Sequence, residues 1–357
     1  MSATTTVMFT SCETGPDAWR HQEEMLREHF PQNDPAFALT DDPAKADLIF
    51  IGNLRPEQQH RKLRENPLLR RFAKKCFVLF EGDEPVRFAQ GILTSLTKEH
   101  ANLGRFRSGS YFLYHADFKN PFVERWYAER NARPFPPPTK RYLACFSGRA
   151  CIPLRERLLN LAWRRPDVFI RDTTHSFDNF THNPMGKNPA REAYFTVSLR
   201  SKFMLCPRGD GAASIRFFEA MQLGVAPVLI SDDWVLPEGP DWSRCMLRIR
   251  EDELDSLETT LERHEDEAAE IGREAQCAYE NYFHGEAYVR YLIDSARSIQ
   301  RTHAPLPERF FHTAWPAGVV VKKVERRMRR VVNRAVGAIR KRFPSTKNQG
   351  SGEHAQA

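Results

Sequence analysis

The sequence predicts an α/β protein built from two consecutive βα-type domains, and three observations predict it. Short apolar runs alternate with helical patterns in both halves of the chain. A Pro-rich stretch, ARPFPPPTK, interrupts that alternation at Ala132–Lys140. Residues Ser201–Pro237 contain a complete strand–loop–helix–strand unit.

The first half opens with a strand at Thr5–Thr10 and an amphipathic helix over Asp17–Phe30 that carries Trp19, Met25, Leu26 and Phe30 on one side. Phe37–Leu39 reads as a short strand and Leu48–Ile51 as a buried one. Gln58–Lys75 is polar and basic with Leu63, Leu68 and Phe72 at helical spacing, which predicts one helix. Cys76–Phe80 is a further buried strand that ends in Glu81-Gly82-Asp83-Glu84-Pro85. Between Gly91 and His115 the pattern is weak, with a strand expected at Tyr111–Tyr114, and Phe122–Arg130 is helical. Four prolines in nine residues then make a stiff, extended linker.

Beyond it the alternation restarts. Strands are expected at Arg141–Phe146, Val168–Arg171, Phe203–Cys206, Val225–Ile230 and Cys245–Ile249. Helices are expected at Pro153–Arg165, Ala190–Leu199, from Ser214 to a stop at Gly224, and at Asp252–Arg263, Glu265–Phe283 and Glu286–Arg301. The expected domains are residues 1–135, residues 141–305 and a basic amphipathic helix with its tail at 320–357. Open α/β sheets bind ligands beyond the carboxyl ends of their strands. The loops at 81–85, 147–149 and 207–213 all follow strands, so they are expected to line one cleft.

Composition and charge narrow the function classes. The chain has 357 residues, 41% hydrophobic and 28% charged, a globular composition. Its seven cysteines are scattered without a C-x-x-C pair, which favours reduced, buried thiols over a zinc site or a disulfide framework. Residues 322–343 hold ten Lys/Arg against one Glu, more than the whole net charge of +7, so the remainder is slightly acidic. That distribution speaks against a nucleic-acid-binding body. Neither a leader peptide nor a run of about 20 apolar residues is evident, and a cytoplasmic protein is expected.

The loop Pro207–Ala213 bears two glycines and feeds a helix N-terminus, whose free N–H groups and positive dipole end suit an anion such as a nucleotide diphosphate. It is neither a Walker A loop nor a G-x-G-x-x-G turn. The stretch Ser201-Lys202-Phe203-x-Leu205-Cys206-Pro207-Arg208-Gly209, with Ser214-x-Arg216-x-x-Glu219-Ala220, Gly224-x-Ala226-Pro227-Val228-x-Ile230 and Leu236-Pro237, resembles the exostosin domain of glycosyltransferase family 47. Asp42-Pro43-x-x-Ala46-Asp47, Arg141-Tyr142-Leu143-x-x-Phe146-Ser147-Gly148, Leu154-Arg155 and Tyr194 add to the resemblance. It touches residues 42–300 and is dense only in the second half. The sequence departs from the family at Ala226, where a cysteine is frequent, and around 60–75, where a His/Trp-rich motif is missing.

The resemblance implies a GT-B-like fold, two Rossmann-like domains facing a cleft, with a basic C-terminal helix in addition. It implies an inverting transfer of a sugar from a nucleotide diphosphate donor, UDP-sugar first, to a glycan or lipid-linked acceptor, with no bound cofactor or metal. The alternative is a catalytically inactive sugar-binding or membrane-binding protein that works through its basic tail.

Several residues carry that reading, each with a plainer structural alternative. Glu219 would accept ribose hydroxyls, or pair with Arg216 three residues earlier. Arg216 would meet the diphosphate with its guanidinium fork. Arg208, Gly209 and Ser214 would cradle phosphate, as would Ser147, Gly148 and Arg149 at the first turn of the same half, or both loops are ordinary βα turns. Asp83 is the candidate base for the acceptor hydroxyl, with His115 and Asp117 as the second option. Asp172, His175 and His182 match no metal-ligand spacing, and Asp232-Asp233 reads as a turn. In 322–343, apolar residues recur every three to four positions among arginines and lysines. Peripheral attachment to an anionic membrane, at its inner face, is therefore expected there.

Overall fold

The computed structural model describes residues 4–12, 21–54, 59–87, 89–113, 121–132, 139–174 and 189–302. The first sheet has strands Thr5–Ser11 (β1), Phe37–Leu39 (β2), Leu48–Gly52 (β3), Cys76–Phe80 (β4), Gly91–Leu93 (β5) and Phe106–Ser108 (β6), in the order β2-β1-β3-β4-β5-β6. His21–Glu28 (α1), Gln59–Glu65 (α2), Pro67–Phe72 (α3), Lys98–Ala101 (α4) and Pro121–Ala132 (α5) are its helices in sequence. The second sheet has Tyr142–Gly148 (β7), Val168–Asp172 (β8), Ser201–Pro207 (β9), Ala226–Ile230 (β10) and Leu247–Ile249 (β11), in the order β11-β10-β9-β7-β8. With it come Pro153–Leu159 (α6), Pro189–Leu199 (α7), Ile215–Leu223 (α8), Trp242–Cys245 (α9), Leu257–Arg263 (α10), Ala268–Tyr282 (α11) and Gly285–Thr302 (α12).

All strand pairs within the two sheets are parallel. Parallel sheets are covered on both faces, which is why LIFIG in β3, CFVLF in β4 and APVLI in β10 are buried at every position. In both sheets the first strand lies between the second and the third. Connections therefore diverge at β1/β3 and again at β7/β9, and such switch points are where doubly wound sheets take ligands. The α/β organisation with two Rossmann-like sheets is thus present as expected.

Four local expectations need correction. The single helix over Gln58–Lys75 is two helices, because Pro67 starts a new one and the Asn66 side chain accepts from the amides of Leu68 and Leu69. Tyr111–Leu113 is not a strand: the Phe112 amide donates to Glu81 Oε1 at 2.8 Å instead of entering a ladder. The strands of the weak region are β5 and β6, three residues each. The helix from Pro153 ends at Leu159, not Arg165. Cys245 closes the short α9, so β11 begins only at Leu247. The N-terminal side of the first predicted helix, the prolines of the linker, His115, Asp117, His175, His182 and the basic segment 322–343 lie outside the described residues.

The sheets share one continuous core. Its centre is Trp234, 1% exposed, in the loop after β10. The indole Nε1 donates to Thr94 O at 2.9 Å, and the ring meets Phe217 and Phe218 of α8 edge-on at 5.2 and 5.9 Å. Beside it the Val235 amide donates to Leu96 O and the Lys98 amide to Asp233 O, so the loop after β5 is zipped to the loop after β10. Helix α12 follows the second sheet in sequence but packs on β5 and β6. There Tyr288 Oη donates to Ser110 O and Tyr291 Oη to Ser108 O.

Replacing Trp234 with alanine removes the indole from this junction, and a loss of about 3–5 kcal/mol is expected for such a core truncation. Urea unfolding of Trp234→Ala should show one earlier transition; two separated transitions would mean that the halves are stable apart.

Candidate functional site

The second sheet's switch point is framed by the end of β7, the end of β9 and the first turns of α6 and α8. Phe146 in β7 is buried and supports two guanidiniums. The Arg216 carbon lies 5.2 Å and the Arg155 carbon 5.9 Å from its ring centroid. Backbone carbonyls, not carboxylates, hold both. Arg216 Nε donates to Ser147 O at 2.8 Å, and Arg155 donates from Nε to Arg208 O and from Nη2 to Pro207 O. Neither forms an ion pair among the described residues. Burial, and after it the neighbouring charge of Arg216, hold the Arg155 pKa below the usual arginine value. Two neighbouring cations that form no ion pair leave positive charge for an anion, although Asp210 acts on Arg155 and Glu219 on Arg216 from a distance.

Gly148 is where the chain passes closest. A Cβ there would lie 2.5 Å from Phe146 Cζ and 3.1 Å from Arg216 Nη2, so only glycine leaves the guanidinium in place. Ser147 is half-buried and Arg149, one residue further, is exposed. Ser214 is the N-cap of α8, yet its side chain makes no cap bond, and its buried Oγ has no partner. An unfilled hydroxyl at a helix start adds to the unpaired N–H groups of the first turn.

Two placements differ from the simplest reading of the sequence. Arg208 turns away from the two free cations: its guanidinium grips Glu251, Nε to Oε1 at 2.7 Å and Nη2 to Oε2 at 3.0 Å. Gly209 accepts at its carbonyl from Arg208 Nη1 and lies 3.4 Å, counted from a built Cβ, from Arg155 Nη2. Glu219 does not hydrogen-bond to Arg216; it accepts from Tyr194 Oη at 2.6 Å. Burial raises the Glu219 carboxyl above its usual value, against the opposing pull of Tyr194 and Arg216. The Asp232-Asp233 turn is structural, with Asp232 accepting from the Glu251 amide. Asp172 caps its own turn through the Thr174 amide.

Asp83 comes to this site from the other sheet. It accepts from the Gly211 amide, and a Cβ on Gly211 would collide with its Oδ1 and with Ser95 Oγ. Although Asp83 reaches solvent, desolvation by the surrounding protein raises its carboxyl first, and the charges of Asp210 and Glu84 add to that. Ser95, fully buried, accepts from the Ala213 amide and bonds Tyr111. Glu81 is occupied with Gln22 Nε2 and the Phe112 amide. The structure therefore brings Asp83, Ser147, Gly148, Gly209, Ser214 and Arg216 into one neighbourhood, with Glu219 one helical turn deeper. Sequence reasoning assigned no role to Arg155, Ser95 or Tyr111. Leu154-Arg155 was visible as a motif, but burial of its guanidinium was not.

Residues 95–264 match the family described as the Exostosin GT47 domain. That stretch begins after β5 and includes the loop zipped to Trp234, the whole second sheet and α8. A probable glucuronosyltransferase GUT1 of Oryza sativa subsp. japonica is 35% identical over 89 residues, covering 24% of this chain and 21% of the relative. Exostosin-1 of Drosophila melanogaster is 32% identical over 123 residues, 31% of this chain and 16% of the relative. The chain thus spans about a fifth of the length of the curated relatives it matches. A solved glycosyltransferase from Rickettsia africae ESF-5 aligns with TM-score 0.39 at 9% identity, covering 85% of this chain and 100% of that one. The resemblance read from the sequence holds: over residues 95–264 the chain is similar to the Exostosin GT47 domain.

Glu219 gives a pH test of this geometry. Its raised folded pKa means that the folded state binds the proton more tightly than the unfolded chain. The associated stability is full below the unfolded value of about 4.3 and is lost as pH rises through the folded value. Glu219→Gln, neutral at every pH, should melt above wild type at pH 8 and lose that advantage at pH 4. Equal melting curves at pH 8 would contradict the burial of the charge.

Proposed function

We propose that this chain is an inverting glycosyltransferase that takes its donor, a nucleotide diphosphate sugar, at the switch point of the second sheet. The observation that carries the reading is the pair Arg155 and Arg216, both on Phe146, both held by carbonyls and neither in an ion pair among the described residues. A diphosphate supplies the missing negative charge. The unpartnered Ser214 hydroxyl and the α8 N-terminus add donors to it. Glu219 lies deeper on the same helix, and a ribose hydroxyl in place of Tyr194 Oη would complete its hydrogen bonding.

In the transfer the acceptor hydroxyl oxygen attacks the anomeric carbon from the side opposite the diphosphate. The anomeric C–O bond to phosphate breaks and its electron pair leaves on the β-phosphate, where the two arginines offset the new charge. Asp83 takes the hydroxyl proton. A carboxyl raised by desolvation and by Asp210 is a stronger base than an exposed aspartate, which suits that task. UDP is the nucleotide we favour. The rice relative's description as a probable glucuronosyltransferase makes a uronic acid the first sugar to try, and a glycan or a lipid-linked saccharide the acceptor. No resident cofactor or metal is assigned to the reaction. Among the described residues, no group of three or more His, Cys, Asp or Glu is placed to hold a metal ion. We place the reaction on the cytosolic side.

Calorimetry with UDP and GDP tests the donor site. Wild type should bind one of them, and Arg155→Ala or Arg216→Ala should weaken binding about 10- to 100-fold, the value of one charge-assisted contact. A wild type that binds neither nucleotide sinks the proposal. Asp83→Asn should leave nucleotide affinity intact and lower transfer by about 10²- to 10⁴-fold; undiminished transfer would remove Asp83 from the mechanism.

A further inference from the structure

The first half of the protein carries a second charged surface that the donor site does not use. Residues 61–75 contain seven Lys/Arg and one Glu, in a body that is otherwise acidic on balance. They form α2 and α3, whose Leu63 and Leu69 point into the core. Arg61, Arg64, Arg70, Arg71 and Lys74 are exposed, and none of them has an ion-pair partner among the described residues. Evenly solvated surfaces mix both signs, and this one does not.

Apolar groups lie among the cations. Pro67 is exposed at the junction of the two helices, Leu68 is half-buried beside it, and the Arg71 guanidinium covers the Phe72 ring at 5.3 Å. The Gln59 side chain donates to Glu84 O at 3.1 Å, so the start of α2 is tied to the residue that follows Asp83. The basic face thus begins at the edge of the site where an acceptor would enter.

We infer that the α2–α3 face docks on an anionic lipid bilayer, with the arginines on headgroup phosphates and Pro67 and Leu68 against the acyl boundary. The combination of unpaired cations with apolar groups at one helix junction fits an interfacial surface. A nucleic acid or a charged polysaccharide would need no apolar contact. Among the described residues no helix is long and apolar enough to cross a membrane. The docking surface stands independently of whether the site transfers a sugar.

Vesicle sedimentation tests it with the full-length chain. The parent carries Lys322→Gln, Lys323→Gln, Arg326→Gln, Arg327→Gln, Arg329→Gln, Arg330→Gln, Arg334→Gln, Arg340→Gln, Lys341→Gln and Arg342→Gln, so that the basic C-terminal segment does not mask the result. It should sediment with phosphatidylcholine vesicles containing about 30% phosphatidylserine and not with pure phosphatidylcholine. Adding Arg64→Gln, Arg70→Gln and Arg71→Gln should reduce partitioning roughly 100-fold, about fivefold per cation, with the melting temperature unchanged. The corresponding triple lysine variant should keep most of the binding, because headgroup attraction needs charge more than a fork. Unchanged partitioning of the glutamine variant, or equal binding to neutral vesicles, overturns the inference. So does a variant that loses retention on heparin-agarose while keeping its vesicle binding, since the face would then serve an anionic polysaccharide.

Discussion

Two guanidiniums held by backbone carbonyls are the constraint on which the site depends. An arginine bonded to a carboxylate is electrically finished, whereas one bonded to a carbonyl keeps its charge for a ligand. Arg155 and Arg216 are of the second kind, and the fold is arranged to keep them so. Phe146 gives both an aromatic face, Gly148 leaves Arg216 its space, and the ends of β7 and β9 supply the carbonyls. Glu251 is held by Arg208 and by the Asp232 turn, so Arg208 has its own carboxylate and adds no free cation to the pair.

The contribution of the other sheet is acidic. Asp83 meets the same loop through the Gly211 amide, and Ser95 meets it through the Ala213 amide, so the cationic wall and the carboxylate wall are joined at one loop. Trp234 and the paired loops after β5 and β10 keep that register, since β5 and β10 are the sheet neighbours of β4 and β9, from which the two walls extend. Stability and site geometry therefore share a junction: the indole that fills the core also helps set how far Asp83 lies from the N-terminal end of α8.

Much of the fold was legible because buried parallel strands are written as unbroken apolar runs. Leu48–Gly52, Cys76–Phe80 and Ala226–Ile230 could hardly be read otherwise. Among the three-residue strands, β2 and β11 were expected, whereas β5 and β6 owe their existence to neighbours in the sheet and leave little local pattern. The Asn66-Pro67 break was visible in the letters and was outweighed by the helical periodicity around it. In the site, the α8 residues could be read from one contiguous motif. The fate of Arg208 could not, because its carboxylate comes from 43 positions away. Nor could the burial of Arg155, which is set by how α6 meets the end of β9.

The return of α12 has a mechanical meaning. Helix α5 already packs on α7 of the second half, and the chain comes back at His284–Gly285, where Gly285 takes a left-handed φ of 52° before α12 docks on β5 and β6. Two bodies tied by a single strand can swivel in any direction; tied at two separated points, they can only rock about the line between those points. Joined at two separated points of the chain and again at the Trp234 junction, the two sheets have fewer ways to move apart than two bodies on a single strand.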